Sequence, residues 1–130
     1  MHFLMISVIC AIVAIIISII WYAPFMFGKT WTKLTGVDRA DKAGRGVMIL
    51  YSGLANIALA VTLYSVALWS NAYGVQSTLV MGMLISFGIV MVSMMIPYMW
   101  EKKSPKLFMI NAGHQIAVIM VMSAIIGYLQ

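Results

Sequence analysis

Charge is what this sequence has least of. Eight Lys and Arg and three Asp and Glu are spread over 130 residues, 8% of the chain, where a soluble domain carries about 25%. Hydrophobic residues make up 64%, and the mean hydropathy is +1.04. Such a chain cannot clothe itself for water, which excludes a soluble globular domain and a disordered tail. A net charge of +5 and a pI near 9.6 would suit nucleic acid, but basic residues without a polar surface point to a membrane, so no nucleic-acid partner is expected. Cysteine is scarcer still. Cys10 stands alone inside an apolar run, so no internal disulfide and no CxxC metal or redox pair exists.

Catalytic groups are equally thin. The carboxylates Asp38, Asp41 and Glu101 lie outside the apolar runs, and no GxSxG, HExxH or P-loop is present. A Ser–His pair of His114 with Ser52 or Ser93 is the one nucleophilic arrangement to consider, and serines are commonplace in membrane helices. The reading is therefore non-enzymatic, with no cofactor. Methionine is abundant, at thirteen, in groups such as Met91, Met94 and Met95. Thioethers suit Cu(I), but without an accompanying His/Cys cluster they read as flexible core filler, and no metal site is assigned.

What the chain does have is four long runs free of Asp, Glu, Lys and Arg: residues 3–22, 47–69, 78–100 and 107–129. Each is long enough to cross a bilayer as a helix. The fold class expected is all-α: a single transmembrane domain over residues 1–130, with four helices in a bundle. Every formal charge falls in two loops. Loop 23–46 carries Lys29, Lys33, Arg39, Lys42 and Arg45 against Asp38 and Asp41, and loop 101–106 carries Lys102, Lys103 and Lys106 against Glu101. The Lys/Arg excess marks cytoplasmic loops, so both termini are expected outside a bacterial-type inner (plasma) membrane. The first run lacks a basic N-region and is followed by positive charge, which reads as an uncleaved anchor. Trp21, Tyr22, Tyr98 and Trp100 fall at one set of span ends, and Trp69, Tyr73 and Tyr128 at the other, as interfacial anchors do.

Loop 23–46 has structure of its own. Pro24 can open a helix. Phe27, Trp31 and Leu34 recur at helical spacing beside Lys29 and Lys33, and Gly36 is a natural stop. This pattern predicts a short interfacial helix whose lysines attract anionic lipid headgroups, together with Lys102, Lys103 and Lys106 of the other loop. Asp38, with Asp41 three residues on, resembles the N-cap of an extension of the second span, loosened at Gly44 and Gly46.

Polar groups inside the runs are the candidate site, because they are costly in hydrocarbon and face a partner or a cavity. Asn111, His114 and Gln115 share one helical face, and Ser52 and Asn56 are one turn apart. Counting depth from the charged ends of their helices predicts that Asn56 meets His114. The alternative is that these groups only join helices. Small residues also form stripes: Ser7, Ala11, Ala14 and Ser18, and the pairs Gly82/Ser86, Gly113/Ala117 and Ser123/Gly127. These allow close helix approach, within one bundle first and between subunits second.

The stretch from Trp21 through Tyr22, Pro24, Phe27, Gly28 and Lys29 to Trp31 resembles the signature of a family of small bacterial membrane proteins, catalogued as domain of unknown function 1761. The run from Trp100 through Ser104 and Pro105 to Asn111 and His114 is similar to its second signature, a charged turn leading into a final helix. The resemblance covers nearly the whole chain. It implies one four-helix membrane domain and implies no substrate. It marks Trp21, Tyr22, Pro24, Phe27, Gly28, Lys29, Trp31, Asn111 and His114 as positions with a shared job.

Two functions fit these readings. One is a homo-oligomeric conduit of parallel subunits, a channel or small transporter, for a small neutral or anionic solute; no intramembrane acid is present to serve a cation. The other is a non-catalytic accessory protein that holds anionic lipid or a partner protein on its basic face.

Overall fold

The computed structural model describes residues 2–37 and 44–130 and is helical throughout, without strands among the described residues. The helices are α1 (His2–Trp21), α2 (Gly28–Thr35), α3 (Arg45–Trp69), α4 (Gly74–Ile85), α5 (Val92–Trp100) and α6 (Pro105–Leu129). A π-helical turn, Ser86–Met91, joins α4 to α5. Together Gly74–Trp100 makes one apolar rod, and α1, α3, this rod and α6 are the four helices long and apolar enough to cross a membrane. Each of the four runs read from the sequence lies within one of them, apart from Tyr22, which follows α1. The rod begins earlier than the run did, because Gly74, Val75, Gln76 and Ser77 form its first turn ahead of Thr78.

α6 is the hub. It touches α1, α2, α3, α4, the π turn and α5, while α3 packs mainly on α1 and meets α4 only slightly. Close approach on α6 is made possible by small residues. A Cβ on Gly82 would collide with Ser123 Oγ, and one on Gly127 with Thr78 Oγ1. Ser7, Ala11 and Ala14 of the α1 stripe are buried in the same core. The small-residue pairs thus serve packing within one bundle. Three hydroxyls inside it are satisfied locally, with Ser7 donating to the Phe3 carbonyl, Ser86 to that of Gly82 and Thr78 to that of Gly74, whereas the buried Ser123 Oγ has no hydrogen-bond partner among the described residues.

Packing is graded along the bundle. One end carries the charged loops; the other has none of Asp, Glu, Lys or Arg. At the uncharged end His2 donates to the Leu129 carbonyl, Gln130 Nε2 to the Ala72 carbonyl, and Phe3 stacks on Tyr64 at 4.6 Å. The buried residues of α3 (Ala60, Leu63, Tyr64 and Ala67) lie in the half nearer that end, those of α4 (Thr78, Met81 and Gly82) in the nearer half of the rod, and those of α1 in the nearer half apart from Ala14. α5, at the charged end, buries none. Val47, Met48, Ile49, Leu50 and Tyr51 of α3 are each more than half exposed, so no face of that turn is covered by the chain. Near the charged end, the described helices bury Leu107, Ile110 and Ala112 of α6 and Gly28 of α2.

The loop helix forms, but later than Pro24 suggested. Pro24 instead follows Ala23 in a tight turn, closed by the Met26 N–H donating to the Ala23 carbonyl at 2.9 Å. A proline's fixed φ suits the second position of such a turn. Phe27 and Gly28 donate back to the carbonyls of Trp21 and Ala23, and α2 then runs to Gly36, which stops it in the left-handed conformation at φ 73°. Asp38 and Asp41 lie outside the described residues. α3 begins at Arg45, after Gly44 at φ 71°.

Candidate functional site

Polar and aromatic side chains converge where the last turn of α1 meets the first turns of α6. Ser18 Oγ lies 2.7 Å from His114 Nε2. Tyr22 donates its hydroxyl proton to Asn111 Oδ1 at 2.7 Å, and Asn111 Nδ2 donates to the Tyr98 hydroxyl at 2.8 Å. Trp21 Nε1 donates to the Ile110 carbonyl at 3.0 Å. The rings enclose this set. Tyr22 is 5.2 Å and Trp21 6.2 Å from the His114 ring, Trp31 of α2 stands edge-on to Tyr22 at 5.7 Å, and Phe27 stacks on Trp21 at 4.9 Å. Lys103 sits 4.9 Å above the Tyr98 ring and 3.6 Å from Glu101.

Local sequence explains the convergence. Asn111 and His114 are three residues apart and share a face of α6, while Gly113 between them leaves space for Trp21. A Cβ at Gly113 would stand 3.1 Å from the indole ring. Gly28 is buried with its Cα against the backbone of the turn, where a Cβ would collide with the Tyr22 carbonyl. That close approach tucks α2 under the end of α1 and presents Trp31 to Tyr22. The two motif stretches, far apart in sequence, are therefore in direct contact.

The expected contact between Asn56 and His114 is replaced by one between Ser18 and His114. Matching depths left the choice of neighbouring helix open, and at this end α6 lies against α1 while α3 is largely uncovered. Asn56 and Gln115 are half-buried and Ser52 is exposed, and among the described residues none of the three hydrogen-bonds to the cluster. Ser93 is exposed too, so the serine beside His114 is neither of those considered. Ser18 also donates to the Ala14 carbonyl at 3.0 Å. One hydroxyl proton cannot serve both partners, so with that bond made His114 Nε2 donates to Ser18 Oγ.

Three residues were read for other roles. In the sequence Ser18 belongs to the small-residue stripe, Tyr98 is an interfacial anchor and Tyr22 is both an anchor and a motif position; the two phenol hydroxyls turn inward onto Asn111. Ser18 sits four residues before Tyr22, one turn up the same face, and that spacing was the available signal. The same geometry sets the depth. His114 is nine residues into α6, about 14 Å, yet its partner Ser18 is one turn from the end of α1. The first turns of α6 overhang α1, and the cluster lies just inside the charged end.

Two open grooves lie elsewhere. One of about 650 Å³ is lined by Ile9, Val75, Leu79, Met120 and other apolar residues. Another of about 580 Å³ lies between α3 and α4 near Ser70 and Gln76. Both are near the uncharged end, and neither reaches His114.

Four apolar helices of spanning length, with the charges of the described residues at one end and a polar cluster at that same end, define a multi-pass α-helical membrane protein. The chain belongs to the family described as protein of unknown function DUF1761, whose model matches residues 5–127. No curated protein and no solved structure matches it.

Proposed function

We propose that this protein is a small-solute carrier, rather than an open channel, which takes a small neutral or anionic solute at the Ser18–Asn111–His114 cluster from its charged end. The observation that carries this reading is the pairing of polar groups with loose packing. Hydroxyl, imidazole and carboxamide groups gather in the half of the bundle where α1, α3 and α5 are least buried, while Ile6, Leu63, Ile119, Met122 and Ile126 pack the core of the opposite half. A polar site on one side of a packed apolar core fits one state of a carrier; a channel requires a continuous path. The donors are His114, Asn111 and the two phenols, and among the described residues no carboxylate hydrogen-bonds to them. This set favours neutral and anionic groups over cations.

The test is solute entry into proteoliposomes, followed by light scattering with glycerol, urea, acetate and nitrate as probes. At least one probe is expected to enter faster than in protein-free vesicles. H114L and N111L are expected to return that rate to the protein-free level, whereas N56L, outside the cluster, leaves it unchanged. Full flux in H114L would remove the cluster as the site. Protein-free rates for all four probes would remove carriage of these solutes.

A further inference from the structure

We propose that the Pro24–Phe27 turn and α2 form a docking surface for anionic phospholipid. Lys29 and Lys33 would take the headgroup phosphates, and Phe25 and Met26 would enter the acyl region. The position follows from the spans. α1 ends at Trp21, so the turn that follows it stands at the boundary between hydrocarbon and headgroups. There Phe25 is 79% and Met26 41% exposed, apolar surface that water would not favour and lipid chains would cover.

The lysines complete the argument. Lys29 and Lys33 are one turn apart on α2 and both exposed, while Trp31, two residues from each, occupies the opposite face against Tyr22. Among the described residues neither lysine has a carboxylate partner, in contrast to Lys103, which is engaged by Glu101 and Tyr98. Two uncompensated positive charges above an exposed aromatic residue match an anionic headgroup above its acyl chain. The buried Gly28 fixes this face relative to α1. The inference does not depend on carriage of any solute, because lipid retention is read without flux.

The full chain in nanodiscs of equal phosphatidylcholine and phosphatidylglycerol, released into native mass spectrometry, tests it. Wild type is expected to retain phosphatidylglycerol preferentially. K29Q/K33Q should lose that preference roughly fivefold per lysine, about 30-fold for the pair. K29R/K33R, which keeps the charge, should retain it, separating headgroup binding from a specific structural need for lysine. K102Q/K103Q should lose less than K29Q/K33Q. Should the double glutamine variant fail to insert, K33Q alone gives the same reading at fivefold. A preference unchanged in the folded glutamine variants, or lost only in K102Q/K103Q, overturns the assignment.

Discussion

Replacing Gly28 with alanine is expected to destabilise the protein by about 3 kcal/mol, at the upper end of what overpacking a tight site costs. The added methyl would meet the Tyr22 carbonyl and stand 2.8 Å from that of Ala23. These are backbone atoms fixed by the hydrogen bonds of the turn, not side chains that can swing aside. Relief requires α2 to move, which draws Trp31 off Tyr22 and Phe27 off Trp21. The measurement is reversible unfolding in mixed micelles, with tryptophan emission as a second readout. G28A should lose stability and change the emission together, whereas G46A, where an added Cβ meets nothing within 4 Å, should change stability by well under 1 kcal/mol. Equal stability of G28A and wild type would mean that the turn is not packed as described.

Asn111→Leu is the second large effect. Its carboxamide accepts from Tyr22 and donates to Tyr98, so one substitution removes two hydrogen bonds, one to each phenol. Bonds between membrane helices average about 0.6 kcal/mol each, and stranding partly buried polar groups adds to that. A loss of about 2 kcal/mol is expected. A cycle with Tyr22→Phe isolates the Tyr22–Asn111 bond: the double variant N111L/Y22F should be less destabilised than the sum of its parts, since the second change removes a hydroxyl that has already lost this bond. Strict additivity would show that Tyr22 and Asn111 do not interact. Because Tyr98 shares the amide, Y98F should couple to N111L as well, but not to the distant N56L.

The spans were legible because a run of apolar residues needs no partner to declare itself: hydrocarbon imposes its length and excludes its charges. The stop at Gly36 was equally local, a left-handed residue that glycine adopts without penalty. What could not be read was which helix faces which. A soluble helix shows its inner face by polarity, but here lipid and protein interior are both apolar, so the exposed Val47 to Tyr51 read no differently from the buried Ile6, Cys10 and Ala14. Polar residues break that symmetry only in part. They tell that Asn111 and His114 need partners, and depth narrows the candidates, but Ser18, Asn56 and Ser52 all remained eligible. Counting from helix ends misled further because α6 overhangs α1. Tyr22 and Tyr98 show the complementary difficulty. Position at a span end is the same for an aromatic anchored in headgroups and for one whose hydroxyl closes a site.

The central place of α6 also has a bearing on how the molecule is assembled. α6 is the last of the four spans along the chain, yet it is the one that all the others lean on. While the chain is being made, α1 and α3 can pair early, but the rod from Gly74 to Trp100 has little to hold it until α6 enters and slots Ser123 and Gly127 against it. The Trp21–Tyr22 corner likewise waits for Asn111, 89 residues later. Of these four spans, the first three therefore gather loosely in the membrane before their keystone reaches them.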